Sequence, residues 1–191
     1  DNDGDRDVLL LNHGPNRLLN NQGDGSFIGV TVGSGISGVK RSAGASWADL
    51  DNDGFLDLFI ANLLKSYGLS GATAETSNLY RNLGAGNFQD VSREVGSSGL
   101  RPGSSFVAPM VDFDGDSIPD LFITQEFGQM ISRNLMYQNL GRALDDEWIG
   151  WQSRSGGNQL IYPSNVMGAA LMDLNLDMLP DIFMTNLIVN E

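Results

Sequence analysis

One pattern recurs four times in this chain and limits its fold more than any other feature. A loop crowded with aspartates runs straight into an apolar segment, most completely in "DLDNDGFLDLFIAN" at 49–62. The other copies are at 1–12, 112–124 and 173–185, and successive copies are offset by 50, 63 and 61 residues. Repeats of this length are typical of β-propeller blades, each of which is one four-stranded unit.

Short apolar runs flank each copy of the pattern. Runs of the "LFI" type follow the aspartates, and small or apolar residues precede them. The following runs are 8–11, 58–60, 121–123 and 182–184, and the preceding runs are 43–48, 105–111 and 165–172. Their length, their β-forming residues and the bounding Gly, Asn and Asp predict buried strands. Since no segment shows sustained helical periodicity, the fold class is predicted to be all-β.

A second element recurs downstream of the first three loops. Its core reads Asn-x-Gly-x-Gly in "LLNNQGDGSF" (18–27) and "LYRNLGAGNF" (79–88). The third copy, "MYQNLGRAL" (136–144), keeps the Asn-x-Gly of Asn139 and Gly141 but loses the second glycine, which leaves a different turn open there. The core predicts a tight hairpin turn in which glycine supplies a positive φ. The third and fourth strands of the two central blades are then expected near 78–82 and 87–92, and near 134–139 and 147–153.

We therefore predict blades of four antiparallel strands in a single propeller segment over 1–191. The blade pieces are about 1–40, 41–100, 101–160 and 161–191, which makes two complete blades flanked by two partial ones. Because about four blades are the fewest that close a ring, we expect a partial ring. The remaining blades would come from the rest of a longer chain or from self-assembly, and the start of the sequence inside an aspartate-rich loop favours a longer chain. The alternative is an open, incomplete array, which would leave strand edges exposed to aggregation.

The second aspartate-rich loop (49–57, loop 2) has the spacing of a calcium site. Its aspartates occupy positions 1, 3, 5 and 9 of the loop, and a glycine lies at position 6, where the chain must turn. Calcium takes six to eight oxygen ligands at about 2.3–2.6 Å, whereas magnesium needs a stricter octahedron. The loops contain no His or Cys, so zinc and copper do not suit the donor set.

Loop 1 (1–7), loop 3 (112–120) and loop 4 (173–181) repeat this spacing, although loop 1 lacks its position 1 in this sequence. About three to four calcium ions (Ca²⁺) are therefore predicted. Each predicted ligand offers an oxygen, and the residue at position 7 offers only its backbone carbonyl. The predicted ligands are Asp1, Asp3 and Asp7 in loop 1; Asp49, Asp51, Asp53, Phe55 and Asp57 in loop 2; Asp112, Asp114, Asp116, Ile118 and Asp120 in loop 3; and Asp173, Asn175, Asp177, Leu179 and Asp181 in loop 4.

Two loops depart from the pattern at position 6. Ser117 replaces the glycine in loop 3, and Met178 replaces it in loop 4. A bulky residue at positive φ is costly. Loop 4 is therefore expected either to bend differently or to bind calcium more weakly.

The aspartates could also serve only to cap turns, as Asp and Asn often do. Four aligned loops with oxygen-bearing side chains at the same offsets favour the ion instead. An EF-hand needs a Glu at position 12 and a helix on each side. Position 12 of loop 2 is Ile60, inside an apolar run, so an EF-hand and a dockerin-like loop do not fit.

The charge balance limits the partners. The chain has 24 acidic and 11 basic residues and a formal net charge of −13. Nucleic acid is not an expected partner, because binding its backbone needs concentrated Lys and Arg. No apolar run reaches the roughly 18 residues of a membrane-spanning helix. Arg6, Arg17 and Arg81 are isolated in the sequence and are interpreted as solvated surface.

The segment "DLDNDGFLD", followed by "LFIAN" and "SNLYRNLGAGNFQDVSREVG", resembles the FG-GAP/VCBS repeat of integrin-α-like β-propellers. The resemblance extends over essentially the whole chain and is greatest to the bacterial and extracellular-matrix type. It implies calcium between the first two strands of each blade, a secreted or cell-surface location, and use as a binding scaffold.

Three classes of function are compatible with this sequence. The first is a non-enzymatic, calcium-stabilised scaffold for extracellular adhesion or assembly, with a protein or glycan ligand. The second is the propeller domain of a secreted carbohydrate-active enzyme, and the third is a structural subunit of a surface filament or complex. No catalytic residue is predicted, and His13, the only histidine, is interpreted as an exposed residue of a turn in "NHGPN".

Overall fold

The computed structural model describes residues 1–36, 38–66, 73–95, 99–126, 133–143, 150–154 and 165–186. These residues form fourteen β-strands and no helix, so the all-β prediction is confirmed. It follows that, within the described ranges, no helix has the length and apolar character needed to cross a membrane.

The strands are short, and most contain three to six residues. In chain order they are β1 (Val8–Leu10), β2 (His13–Pro15), β3 (Arg17–Asn21), β4 (Phe27–Gly29), β5 (Val39–Ala48), β6 (Asp57–Asn62), β7 (Asn78–Asn82), β8 (Phe88–Asp90), β9 (Met110–Val111), β10 (Asp120–Ile123), β11 (Leu135–Asn139), β12 (Trp151–Ser153), β13 (Val166–Met172) and β14 (Asp181–Asn186).

Antiparallel pairing groups these strands into consecutive units that we call blades. Blade 1 contains β1, β3 and β4, blade 2 contains β5 to β8, blade 3 contains β9 to β12, and blade 4 contains β13 and β14. Strand β2 extends the sheet of blade 2 by pairing with the first residues of β5. Two four-stranded units with a partial unit on each side are the arrangement expected of partial propeller blades.

Two strands differ from the sequence expectation. The run 105–111 is a strand only at 110–111, because Pro109 has no N–H to donate to the neighbouring strand β10. The "NHGPN" segment, interpreted as a turn, contains β2, in which His13 is exposed and pairs with Arg41. The fourth strand of blade 3 is described from Trp151, and the expected positions 147–149 lie outside the described residues.

The same backbone hydrogen bond ties each blade to the next. A residue at or just after the end of the second strand of one blade accepts, through its carbonyl, from the N–H of a residue in or before the first strand of the following blade. The N–H to carbonyl pairs are Ser42 to Asn12 (3.1 Å), Ser105 to Asn62 (2.9 Å) and Val166 to Gln125 (3.3 Å). These residues are equivalent under the sequence offsets, so the repeat in the sequence is also a repeat in the contacts.

The hydrophobic core lies between blades. All six residues of β6 are buried, and their side chains alternate between two clusters, as the period of a strand requires. Leu58 and Ile60 join the cluster shared with blade 1, whereas Phe59 and Ala61 join the cluster shared with blade 3. Blade 2 is thus covered on both faces.

One glycine allows blades 2 and 3 to approach closely. A Cβ atom added to Gly44 in β5 would lie 2.1 Å from the backbone oxygen of Phe106, the residue that leads toward β9. Any larger residue would push the two first strands apart. The loops that join the first and second strands of these blades therefore lie at neighbouring positions.

Candidate metal centre

The four acidic loops share a local hydrogen-bond pattern. In each, the carboxylate at position 5 accepts from the backbone N–H at position 7, as in an Asx turn. The pairs are Asp3 with Asp5, Asp53 with Phe55, Asp116 with Ile118 and Asp177 with Leu179, all at 2.9 Å. The equal distances indicate that all four loops bend in the same way here.

The carboxylate at position 1 closes each complete loop. In loop 2, Asp49 Oδ2 accepts from the N–H of Gly54 at 2.9 Å. In loop 3, Asp112 Oδ2 accepts from Ser117 at 2.7 Å. In loop 4, Asp173 accepts from Met178 at 2.8 Å. The aspartates therefore do cap the turns, as the simpler interpretation of the sequence held.

Position 6 has a positive φ in all four loops, whatever residue is there. The φ of Gly54 is 88°, that of Ser117 is 69° and that of Met178 is 68°. Of the two expectations for loop 4, a different bend is wrong, because the hydrogen bond to Asp173 holds the same conformation, whereas weaker calcium binding stays a prediction. Leu176, at position 4 of that loop, also has a positive φ of 63°. Loop 4 thus carries backbone strain of about 1–2 kcal/mol at each of these two residues.

The aspartate at position 9 joins the loop to the third strand of its own blade. Asp57 Oδ2 accepts from the N–H of Leu50 at 2.9 Å, and its Oδ1 accepts from the N–H of Asn82 at 2.8 Å. Asp120 makes the equivalent pair with Phe113 at 3.1 Å and Asn139 at 2.8 Å. Both aspartates are buried, so these contacts fix the loops on the sheets.

Burial also changes the acidity of these two side chains. The pKa of Asp57 is raised to about 7, chiefly because burial disfavours its charged form. The hydrogen bonds from Asn82 and Leu50 oppose the rise, and the charges of Asp51 and Asp53 add to it. Burial likewise raises the pKa of Asp120 to about 6. A cation at the loops would favour the charged form of both carboxyl groups.

The asparagine of the Asn-x-Gly core links the loop to the hairpin turn. Asn82 Nδ2 donates to the carbonyl of Leu56 at 3.1 Å, while its Oδ1 accepts from the N–H of Gly84 at 3.0 Å. Gly84 has the predicted positive φ, 81°. Asn139 and Gly141 repeat the contact at 3.1 Å in blade 3. The sequence identified this core as a turn, but it did not indicate that the asparagine holds the acidic loop.

The structure brings predicted ligands together in two loops. Three carboxylates, each through one oxygen atom, lie within 4.8 Å of one another in each cluster. The clusters are Asp49, Asp51 and Asp57 in loop 2, and Asp112, Asp114 and Asp116 in loop 3. Within the described ranges, no other three acidic side chains come this close.

The donor set of these clusters suits a hard divalent cation. All the clustered atoms are carboxylate oxygens, which calcium prefers. In loop 2, Asp51 is 3% exposed, and its Oδ1 is buried without a hydrogen-bond partner among the described residues. A buried, unpaired carboxylate oxygen costs free energy unless a cation or donor reaches it. Loops 2 and 3 therefore have residues that fit calcium, while the individual ligand roles stay predictions.

The remaining predicted ligands are placed less closely. Asp53 and Asp120 are outside the two clusters, and the aspartates of loops 1 and 4 form no cluster of three. The side chains at position 7 lie over the turn glycines, since a Cβ on Gly141 would be 2.5 Å from Ile118 Cδ1. The use of the Phe55, Ile118 and Leu179 carbonyls stays a prediction.

Two arginines contact loop 2, and the sequence interpretation missed both. Arg81 in β7 forms an ion pair with Asp51 Oδ2, so it is not simply solvated surface. Arg142, from the hairpin turn of blade 3, lies 3.0 Å from the same oxygen and also donates through Nε to the Asp51 carbonyl. Their approach to loop 2 is visible only once the blades are assembled.

Comparison with known families assigns part of the chain. Residues 1–60 match the model of the FG-GAP-like repeat. The chain carries an FG-GAP-like repeat. That repeat includes blade 1, loops 1 and 2, and the strands β5 and β6 as far as Ile60. The resemblance that the sequence suggested is confirmed over this range. No protein with a curated description matches the chain.

Proposed function

We propose that this chain is a calcium-stabilised scaffold segment that supports binding in adhesion or assembly outside the cell. The observation that carries the proposal is the gathering of three carboxylates in equivalent loops of two consecutive blades. An FG-GAP-like repeat and a propeller-like strand arrangement support a scaffold. The secreted or cell-surface location follows from the resemblance to extracellular repeats.

Charge explains why a cation would stabilise the fold. Loops 2 and 3 each place three carboxylates within 4.8 Å of one another, and each of these loops has a buried aspartate at position 9, Asp57 or Asp120. When bound, calcium supplies the positive charge that offsets this repulsion. Asp57 and Asp120 connect their loops to the third strands through backbone hydrogen bonds. An ion that stabilises the loop would therefore also stabilise its sheet. A ligand bound only to the folded state at a hundredfold excess over its Kd adds about 2.7 kcal/mol.

The exposed apolar side chains of blade 4 support a role in assembly. Phe183 is 62% exposed, Met172 is 55% exposed and Leu174 is 64% exposed. By contrast, the equivalent second strand of blade 2, β6, is fully buried between its neighbours. A further blade or a second copy of the chain would cover blade 4 in the same manner. A protein or glycan ligand would then bind the assembled array.

Thermal unfolding in calcium, in magnesium and in EGTA tests the proposal. We expect calcium to raise the Tm by several degrees, with a smaller rise in magnesium. The double variant Asp112→Asn, Asp114→Asn should lose part of the calcium response, because it removes two carboxylates from the loop 3 cluster. As a matched control, Asp24→Asn removes an exposed carboxylate outside the loops and should keep the full response. Equal Tm values in calcium and in EGTA would contradict the proposal.

A further inference from the structure

Loops 2 and 3 have nearly the same acidic sequence but different neighbours. In blades 1, 2 and 3, the residue just before the turn asparagine contacts the carboxylate at position 3. These pairs are Asn20 with Asp1, Arg81 with Asp51, and Gln138 with Asp114. The contact is made by a neutral amide in blades 1 and 3 and by a guanidinium in blade 2. Blade 2 therefore places a positive charge where its neighbours place none.

A second positive charge reaches the same carboxylate from the next blade. Arg142 Nη2 lies 3.0 Å from Asp51 Oδ2, the oxygen that also meets Arg81. Beside it, Asn139 Nδ2 donates to the carbonyl of Leu50 at 2.6 Å. The hairpin turn of blade 3 is thus seated on loop 2. The Asp51 side chain is only 2% exposed, so solvent screens these ion pairs weakly.

In loop 3, the side chain that contacts the carboxylate at position 3 is uncharged. Gln138 donates to Asp114, and Arg154 lies behind it, with its Nε 2.7 Å from Gln138 Oε1. Within the described ranges, no Lys or Arg forms an ion pair with a loop 3 carboxylate. With every aspartate counted as ionised, as a bound cation would hold them, two guanidinium contacts give loop 2 a formal charge of −2, whereas loop 3, with no such contact, has −4.

We propose that Arg81 and Arg142 make loop 2 the weaker of two unequal calcium sites, and that loop 3 fills first. The inference rests on the proposed calcium binding. Calcium affinity increases with the negative charge of its ligands, and a guanidinium close to the ion opposes binding. Because Arg142 belongs to blade 3, occupancy of loop 2 is coupled to the junction between blades 2 and 3. The loop with the more regular sequence is therefore the one that needs more calcium.

Calcium titration followed by two-dimensional ¹H–¹⁵N NMR separates the two sites. The N–H of Gly54 donates to Asp49 in loop 2, and the N–H of Gly115 donates to Asp112 in loop 3 at 2.7 Å. Each amide signal should therefore move when its own loop binds the ion. In the unmodified chain we expect the Gly115 signal to reach its midpoint at a calcium concentration roughly tenfold below that of Gly54.

Reciprocal substitutions test the cause. Arg81→Gln gives blade 2 the residue of blade 3, and it should lower the Gly54 midpoint by roughly tenfold. Gln138→Arg should raise the Gly115 midpoint by a similar factor. If Arg81→Gln fails to fold, Arg142→Gln also removes one positive charge from loop 2 and should likewise lower the Gly54 midpoint. The matched control is Arg17→Gln, which removes an exposed positive charge at the start of β3. Arg17 lies at the opposite end of that strand from the residue that contacts loop 1, so this variant should move neither midpoint.

The outcomes separate this inference from the proposed function. If both signals move at the same calcium concentration and the arginine variants change nothing, the inequality is wrong while calcium binding stands. If neither signal moves at millimolar calcium in any variant, both the inference and the proposed function fail. An earlier Gly115 midpoint, together with opposite shifts in Arg81→Gln and Gln138→Arg, supports the inference.

Discussion

Blades 2 and 4 use the same loop in opposite surroundings. In both, the carboxylates at positions 1 and 5 accept the same backbone hydrogen bonds, and position 6 has a positive φ. Blade 2 is packed on both faces and has a glycine at position 6. In blade 4, Met178 is 91% exposed at that position and Leu176 is 85% exposed two residues earlier.

The comparison separates what shapes the loop from what stabilises it. Hydrogen bonds within the loop suffice to impose its bend, even on residues that resist a positive φ. Burial, neighbouring blades and charge differ between the two copies, and they decide how much each loop contributes to the fold. The following substitutions test this separation.

The largest effect is expected at position 9. Asp57→Ala would leave the buried N–H groups of Leu50 and Asn82 without their acceptor, at about 1–3 kcal/mol each. Asp181→Ala in blade 4 removes an acceptor from Leu174, which is exposed to water, and should cost far less. Urea unfolding in EGTA measures both. Equal losses would show that the surroundings of the loop do not matter.

The next effect is expected at the blade junction. Gly44→Ala places a methyl group against the Phe106 carbonyl and should destabilise the chain by about 1–3 kcal/mol through overpacking. Gly168 is the equivalent residue of blade 4, where a Cβ would lie 3.3 Å from Thr185 Oγ1. Gly168→Ala should therefore change the free energy of unfolding by less. A similar loss in both variants would contradict the close junction of blades 2 and 3.

In EGTA, pH should act on blade 2 through Asp57. Its folded-state pKa of about 7 exceeds the value of 3.8 in the unfolded chain, so between these values the folded state holds the extra proton. Stability should therefore fall as pH rises from 5.5 to 7.5, by about 2 kcal/mol at most. The charged groups facing Asp57 are Asp51 and Asp53, with Arg81 beyond Asp51.

Thermal unfolding at several pH values checks this dependence. Asp57→Asn should flatten the profile, although Asp120, whose pKa is raised to about 6, leaves a slope of the same sign. Saturating calcium should also flatten it, since the ion favours the charged carboxylates. A Tm that rises with pH in EGTA would contradict the account of Asp57.

The smallest effect is expected at position 6 of loop 4. Met178→Gly relieves the positive φ and should stabilise the chain by about 0.5–1 kcal/mol, after the greater freedom of glycine in the unfolded state is subtracted. Gly54→Met should have the opposite effect in loop 2, by about 0.5–1 kcal/mol after the same subtraction. Chemical unfolding of both variants checks the signs. A destabilising Met178→Gly would show that loop 4 is not strained.

Features set by nearby residues could be predicted from the sequence. The strands β7 and β11 begin and end within a residue of the expected positions, and Gly84 has the expected positive φ. The short length of β9 could also have been predicted, because Pro109 directly precedes it in the sequence. Met178 misled the prediction because the hydrogen bonds that the N–H groups of Met178 and Leu179 donate to Asp173 and Asp177 outweigh the backbone preference of Met178.

Features that depend on assembly of the blades could not be predicted in this way. Arg142 reaches Asp51 across 91 positions of the chain, and nothing in the local pattern of either residue indicates the contact. The same holds for Asp57, which accepts from the N–H of Asn82 across 25 positions of the chain. The sequence thus indicated which residues form the loops, but not how their neighbours make the loops unequal.

A crystal structure of the chain grown in calcium tests the central claim most directly. The account predicts an ion in loop 3, and in loop 2 at higher calcium, with carboxylate oxygens at about 2.3–2.6 Å. The loop backbones and the hydrogen bonds of Asp57 and Asp120 should be unchanged. Well-ordered loops with no ion at saturating calcium, and Asp51 held only by Arg81 and Arg142, would contradict it.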